Sequence, residues 1–271
     1  MPAPSPLSHV IDAAERAGKL NLSTQDFHEA LPGISPDALR QALHRQQRRG
    51  RLVRLSRGAD HWLIVPLQYA AVGAPPLEIW LDRYLSKTLG ISYYMTLLSA
   101  AEIYGASPYA VMVTQVMVSN RRRPITVGRY QVAFHTRVRI EQMPTRWHDT
   151  PDGRLRVATP ELTALELVER VSLAGGMDRV REVLRGLWTF CTPKGLTEAL
   201  EALQQMPTAQ RLGALLTLDE QDTLATQVAL WLEKKPLRIV PLEPGQKRQK
   251  SSDIDSLFKV RIPAHSLTAN T

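Results

Sequence analysis

The pattern of apolar and polar positions near the start of the chain predicts three helices. Residues 7–19 carry an apolar stripe at helical spacing. A second helix begins at Ser23 or Thr24 and ends at residues 31–33 (Leu-Pro-Gly), because proline breaks the hydrogen-bond ladder and glycine accepts a left-handed cap. Ser35 caps the third helix, which places Leu39, Ala42 and Leu43 on its apolar side.

Strand-like alternation follows the third helix directly. Residues 51–57 and 59–65 predict two short strands that turn at residues 56–58. Two helices joined by a tight turn and followed by a hairpin make a winged helix-turn-helix, in which the last helix enters the DNA major groove. We therefore expect residues 21–66 to form such a motif.

The third helix and the hairpin share a positive charge. The stretch from Arg40 to Arg57 contains seven arginines and no Asp or Glu, and a surface of one sign attracts a polyanion with strong salt dependence. Double-stranded DNA is the expected ligand, and the alternative is a solvated basic helix whose apolar spacing serves a small core. The residues predicted to contact DNA are Arg40, Gln41, His44, Arg45, Arg48, Arg51, Arg54 and Arg57.

The remaining chain predicts a larger domain of mixed composition. We assign residues 1–68 to the winged helix-turn-helix domain, residues 69–90 to a proline-containing linker and connecting helix, and residues 91–271 to a C-terminal domain. The expected fold class is α+β, with a mainly antiparallel sheet and surrounding helices in the C-terminal domain.

Several elements of the C-terminal domain can be placed from their patterns. Residues 93–105 are apolar nearly all round, which predicts a buried helix. Residues 110–118 and 129–141 have strand patterns, and a turn at Asp152-Gly153 leads into a further strand at residues 155–158. Five helical patterns follow, the first of them opened by Thr159, Pro160 and Glu161, and residues 258–262 alternate like a last strand.

Composition narrows the class of partner and the compartment. The chain has 271 residues, 44% of them hydrophobic and 22% charged, with a net charge of +8, so we expect an acidic partner, nucleic acid before membrane. Cys191 is the only cysteine, and neither a signal peptide nor a membrane-length apolar run is present. The expected location is the cytoplasm.

The sequence contains no strong catalytic or cofactor motif, and we expect no enzyme activity, cofactor or metal. HExxH, GxxxxGK[ST] and GxSxG patterns are absent. Asp253 and Asp255 have a spacing that suits Mg²⁺, but no Gly-Ser turn precedes them, so a solvated acidic tail is favoured. Glu161, Glu166 and Glu169 are expected to be exposed on their helix.

A second group of arginines lies between the two predicted strands of the C-terminal domain. Arg121, Arg122 and Arg123 form one turn, and no acidic residue occurs from Ile103 to Ile140. Such a turn contacts nucleic acid or an acidic partner, or it is simply solvated, and the residues alone leave both interpretations open.

The order of these segments resembles the AbiEi-type antitoxins of bacterial type IV toxin–antitoxin (abortive infection) systems. The resemblance rests on a winged helix ending in RRGRLVRLSRGADHWLIVP, then YYMTLLSAAEIYGASP, AVMVTQVMVS with its RRRP turn, GRLRVATPELTALELVERV and GGMDRVREVLRGL. It runs from about residue 20 to about residue 190.

The resemblance implies a repressor and antitoxin in one chain. In this family the winged helix binds inverted repeats in the promoter of its own operon, and the C-terminal domain counteracts a nucleotidyltransferase-like toxin without a stable complex. The family's DNA-facing residues correspond to the arginine-rich helix and hairpin of this chain, and its C-terminal positive surface to Arg121, Arg122 and Arg123. Family wings end in Gly-x-Tyr, whereas this chain has GADHW at residues 58–62, so the role of Arg57 is open.

Two rival functions belong to other classes. One is a winged-helix regulator, unrelated to a toxin, whose C-terminal domain senses a small ligand in a pocket lined by residues 93–105. The other is an enzyme acting on nucleotides through Asp253 and Asp255.

Overall fold

Helices and strands alternate through the part of the chain that the computed structural model describes, which is residues 5–55, 60–150, 153–245 and 252–263. Within these ranges there are ten α-helices and twelve strands, which confirms a mixed α+β fold. The chain divides into two compact units. The first comprises Met1–Tyr93, Met112–Arg137 and Trp147–Arg156, and the second comprises Tyr94–Val111, Val138–Arg146 and Val157–Thr271.

The N-terminal part of the first unit contains the three expected helices and the hairpin strands. A short strand before the second helix was not expected. In chain order the elements are α1 (Pro6–Arg16), β1 (Asn21–Ser23), α2 (Thr24–Ala30), α3 (Pro36–Arg48), β2 (Leu52–Arg54) and β3 (His61–Ile64).

The three strands make one small antiparallel sheet in the order β1-β3-β2. Leu22 lies opposite Trp62, and Leu63 lies opposite Val53. The sheet and the three helices enclose a core in which Ile11, Phe27, Leu39, Leu43 and Leu63 are at most 2% exposed. Burial of these side chains is what stabilises so small an assembly.

A helix follows the hairpin, as expected, but its second half is π-helical. Here α4 (Leu77–Asp82) continues into a π-helical segment (Arg83–Thr88). Trp80 is fully buried, and its carbonyl accepts a hydrogen bond of 3.0 Å from the Asn21 amide, which joins α4 to β1. The domain boundaries drawn from the sequence stay a prediction.

The expected helix over residues 93–105 is wrong at its start. Residues Tyr93–Met95 form strand β4, and helix α5 is only Leu97–Ile103. The physical reason is that Thr96 is extended (φ −136°, ψ 170°), which separates the two elements. An unbroken apolar run does not distinguish a buried strand from a buried helix.

The middle of the chain contributes five strands, two of which were not expected. These are β5 (Thr114–Val118), β6 (Ile125–Val127), β7 (Tyr130–Thr136), β8 (Thr145–Thr150) and β9 (Gly153–Ala158), of which β6 and β8 are the additions. The β6–β7 turn requires a glycine: Gly128 has φ +56°, and a Cβ there would lie 2.5 Å from the Val72 carbonyl oxygen.

The second unit is largely helical, and after α5 its five helices correspond to the five helical patterns of the sequence. They are α6 (Pro160–Glu169), α7 (Met177–Leu187), α8 (Pro193–Leu203), α9 (Met206–Leu218) and α10 (Asp222–Leu232). Three strands end the described chain: β10 (Val240–Pro241), β11 (Ser252–Ile254) and β12 (Val260–Pro263). No helix within the described ranges is long and apolar enough to cross a membrane.

Strand pairing beyond the N-terminal sheet is mixed, which corrects the expectation of a mainly antiparallel sheet. β5 runs parallel to β7, β4 parallel to β9 and β10 parallel to β12. By contrast, β6 with β7 and β11 with β12 are antiparallel neighbours. The reason is that β5 skips β6 and pairs with the strand after it, so a single hairpin does not set its direction.

The capping of α2 gives a test of the N-terminal fold. The Ser23 hydroxyl accepts from the Asp26 amide at 3.0 Å, and the Asp26 carboxylate accepts from the Ser23 amide at 2.7 Å. We expect Ser23→Ala to lower the free energy of unfolding by about 1 kcal/mol, whereas Ser23→Thr keeps the cap and most of the stability. Urea unfolding of the full chain measures both variants.

The same cap has a pH dependence of known sign. Burial opposes ionisation of Asp26, but hydrogen bonds from Ser23 and the Lys19 ammonium outweigh it and lower the pKa of Asp26. The contribution of Asp26 to the free energy of unfolding is therefore fully present above the pKa of about 4 that this carboxyl has in the unfolded chain. It is lost as the pH falls through the lower pKa of the folded state. An unchanged acid transition in Ser23→Ala would contradict this role.

Candidate nucleic-acid interface

Helix α3 is fixed at its N-terminus by the residues that predicted it. The Ser35 hydroxyl accepts a hydrogen bond from the Ala38 amide at 3.3 Å, Pro36 occupies the first turn, and Asp37 complements the positive helix end. The inner face is held by Leu39 and Leu43, which are buried. The rotation of the helix about its axis is therefore set by its core side.

A buried polar contact strengthens this orientation. Gln46 is 5% exposed, and its amide donates to the Ser8 hydroxyl of α1 at 2.9 Å. A buried amide without a partner is costly, so this bond specifies how α3 packs on α1. Its position at i+7 from Leu39 and i+3 from Leu43 was the signal that Gln46 shares the inner face, but its polarity led us to overlook it.

The opposite face of α3 is solvent-exposed and carries five of the predicted DNA contacts. At about 1.5 Å per residue the face extends about 12 Å. Arg40 forms an exposed ion pair of 3.0 Å with Asp37, a contact that is weak in water. The other four make no ion pair within the described chain. The exposed residues are Arg40, Gln41, His44, Arg45 and Arg48.

Trp62 joins this face to the hairpin. Its indole N–H donates to the Thr24 hydroxyl at 3.1 Å, and the His44 ring meets its edge at a centroid distance of 6.5 Å. The Arg54 guanidinium lies 5.7 Å from the same ring centroid and 3.8 Å from an Asp60 carboxylate oxygen. Trp62, which sequence reasoning missed, thus positions one side chain from α3 and one from β2.

Arg51 is placed differently from the other predicted contacts. Its guanidinium lies 2.8 Å from Asp12 and 2.9 Å from Glu15, both on α1. These two carboxylates occupy its charge, so its evident role is to hold α1 against the start of β2. Arg57 lies outside the described residues.

The second arginine group lies in the loop between β5 and β6. Arg121 and Arg123 are exposed, and Arg122 is half-buried. None of the three has an ion-pair partner among the residues described. The loop is therefore a separate positive site on the first unit, and no described hydrogen bond joins it to α3.

Two of the glutamates expected on a helix surface are buried, which corrects that expectation. Glu166 is fully buried and accepts hydrogen bonds from the Tyr94 hydroxyl at 2.6 Å and from the Thr96 hydroxyl. Glu161 is 4% exposed and accepts from the Thr192 amide at 2.8 Å. The reason is that α6 is surrounded by other helices. Glu169 is half-buried rather than exposed, and its carboxylate lies 3.5 Å from the Arg170 guanidinium.

Asp253 and Asp255, the acidic pair considered for Mg²⁺, lie in strand β11 and in the turn that follows it. Asp253 is exposed in β11 opposite Ile262, and an Asp255 carboxylate oxygen accepts from the Phe258 amide at 2.6 Å in a turn. Residues 246–251 of the polar segment that precedes them lie outside the described residues. Across the described ranges, no three His, Cys, Asp or Glu side chains come together in a way that suits a metal.

Comparison with known proteins identifies part of the chain. Residues 94–218 match the family model described as the AbiEi antitoxin C-terminal domain. A solved structure described as the RV2827C protein from Mycobacterium tuberculosis superimposes with a TM-score of 0.69 at 16% identity, covering 96% of this chain and 92% of the other. At that identity the likeness concerns the fold. No curated protein matches.

The ion pairs of Arg51 can be tested by comparing its contribution to stability with that of a solvent-exposed arginine. Arg51→Ala leaves two partly exposed carboxylates of α1 without their partner, and we expect the free energy of unfolding to fall by about 1 kcal/mol. Arg48→Ala, an exposed arginine three residues earlier, is the matched control and should change stability by less than about 0.5 kcal/mol. Chemical unfolding midpoints compare the two, and equal effects would contradict the assignment.

Proposed function

Because residues 94–218 make this chain a member of the AbiEi-type antitoxins, we propose that it is the antitoxin and repressor of a type IV toxin–antitoxin operon. Its N-terminal region binds inverted repeats in double-stranded operator DNA. Its C-terminal domain counteracts a nucleotidyltransferase-like toxin without forming a stable complex with it. The chain acts in the cytoplasm, and its role is regulatory rather than catalytic.

The observation that carries the DNA-binding part is the exposed basic face of α3. The order α1-β1-α2-α3-β2-β3, with the strands arranged β1-β3-β2, supports the assignment of a winged helix-turn-helix. In such a motif the second helix of the helix-turn-helix lies in the major groove. Here that helix is α3, whose solvent side is positive and whose core side is fixed by Leu39, Leu43 and Gln46.

Individual residues can be given roles on chemical grounds. Arginine reads guanine through two hydrogen bonds and also binds phosphate, and glutamine pairs with adenine. We assign Gln41 and Arg45, in the middle of α3, to base edges, and Arg40, Arg48 and Arg54 to the phosphate backbone. Arg51 has no such role because α1 neutralises it, and Arg121 to Arg123 are proposed as an additional phosphate contact.

Operator binding tests the proposed recognition helix. We expect the double variant Arg45→Ala/Arg48→Ala to bind a duplex from the region upstream of its own gene more weakly. The salt slope should fall by about 1 for each arginine–phosphate pair that the substitutions remove. Fluorescence anisotropy at several salt concentrations gives both the affinity and the slope.

The matched control for that experiment is Lys194→Ala/Lys234→Ala. It removes the same two positive charges from exposed positions on the second unit, and it should leave affinity and slope nearly unchanged. If both double variants behave alike, the effect is one of net charge and α3 is not the recognition helix.

Growth rescue tests the antitoxin part separately. In a host that expresses the neighbouring toxin-like reading frame, we expect both the full chain and Arg45→Ala/Arg48→Ala to restore growth, because neutralisation belongs to the C-terminal domain. Point variants suit this better than removal of residues 1–74, since those residues belong to the same compact unit as Met112–Arg137. A neighbour that is not toxic would favour the ligand-responsive regulator instead.

A further inference from the structure

A cavity of about 270 Å³ lies within the first unit, apart from the α3 face and the arginine loop. One wall is formed by the π-helical segment and the residues that follow it, and the other by β8 and β9. Its lining includes Lys87, Tyr93, Trp147, Arg154 and Arg156. π-helical turns are rare and recur at functional sites, so this wall is a candidate for ligand binding.

The charges in this cavity are mostly positive. Among the described residues that line it, three carry a cationic side chain and one, Asp82, carries a carboxylate, which accepts hydrogen bonds from the Ser86 hydroxyl at 2.9 Å and the Tyr93 hydroxyl at 3.1 Å. Lys87 is exposed and has no ion-pair partner within the described chain. The carbonyl end of the helical segment adds about half a negative charge, which the cations exceed.

Arg154 is held in a way that suits an anion. Its guanidinium carbon lies 4.3 Å from the centroid of the Trp147 ring, so it covers a face of the indole. A guanidinium placed over an aromatic face keeps N–H donors at its edge, where they pair with phosphate oxygens. Trp147 itself is 47% exposed, although large aromatic side chains usually bury most of their surface.

We propose that this cavity binds a nucleoside phosphate. Lys87 and Arg154, both exposed, bind the phosphate group, and the exposed Trp147 ring forms the wall against which the nucleoside lies. A volume of about 270 Å³ is larger than a lone phosphate requires. It lies just below the range of about 300–1,000 Å³ that is typical of ligand pockets, so a mononucleotide is the largest ligand that we expect it to enclose. The proposal does not rest on operator binding or on the toxin.

Isothermal titration of the full chain with adenosine 5′-monophosphate tests it. We expect saturable binding with a Kd of about 1 mM or lower, weakened by added salt. Adenosine and inorganic phosphate, titrated separately, should each bind at least about ten times more weakly, because each lacks one half of the contacts. A 5′-phosphorylated dinucleotide tests whether the site takes a free nucleotide or the 5′ end of a nucleic-acid strand. If the dinucleotide binds at least as tightly as adenosine 5′-monophosphate, the site is assigned to strand ends.

Two variants locate the binding to this cavity. Lys87→Gln removes one charge-assisted contact and Trp147→Leu removes the aromatic wall, and we expect each to weaken binding about tenfold. Lys194→Gln, an exposed lysine on α8, is the control and should bind as the parent does. Both test positions are exposed, so thermal midpoints should stay close to that of the parent chain.

Two results would overturn the proposal. One is the absence of saturable binding of the nucleotide to the parent chain at millimolar concentration. The other is an affinity that both folded variants retain, which would move the binding elsewhere on the molecule.

Discussion

Helix α6 is buried on all sides, and this constraint organises the second unit. Residues 160–168 are all buried, so Glu161 and Glu166 enter the interior with the helix. A buried carboxylate without donors is far more costly than any single apolar contact is favourable. Donors come from Thr192 at the start of α8 and from Tyr94 and Thr96 around β4. The polar requirement of one helix thus fixes the positions of elements far apart in sequence.

Helix α3 in the first unit shows the opposite arrangement, since one face is buried and the other is left to solvent. Leu39, Leu43 and Gln46 pack inward. The outward side chains have few acidic neighbours among the described residues. A basic surface on a rigidly oriented helix contacts a polyanion with little loss of conformational entropy in the backbone. That is the physical ground on which the operator-binding proposal depends.

The sequence predicted those elements whose signals are local. Caps at Ser23, Ser35 and Thr159 placed three helix starts correctly, because capping depends on a side chain and an amide only a few residues apart. Strand direction and burial depend on distant neighbours, so the parallel pairing of β5 with β7 and the burial of Glu166 were missed. Hydrophobic periodicity predicts which face of a helix is apolar. Only the tertiary structure shows whether other elements also cover the polar face.

The candidate sites follow the same division between local and distant information. Five basic or polar residues of α3 were predicted on one exposed face from helical spacing alone. Arg51 has the same chemistry, and yet Asp12 and Glu15, almost forty residues earlier in the chain, neutralise it. The net charge of the chain therefore overestimates how many positive side chains are available to bind an anion. What counts is the positive charge that the fold leaves without an acidic neighbour, and in the first unit this includes Arg45 and Arg48 on α3 and Lys87 at the cavity.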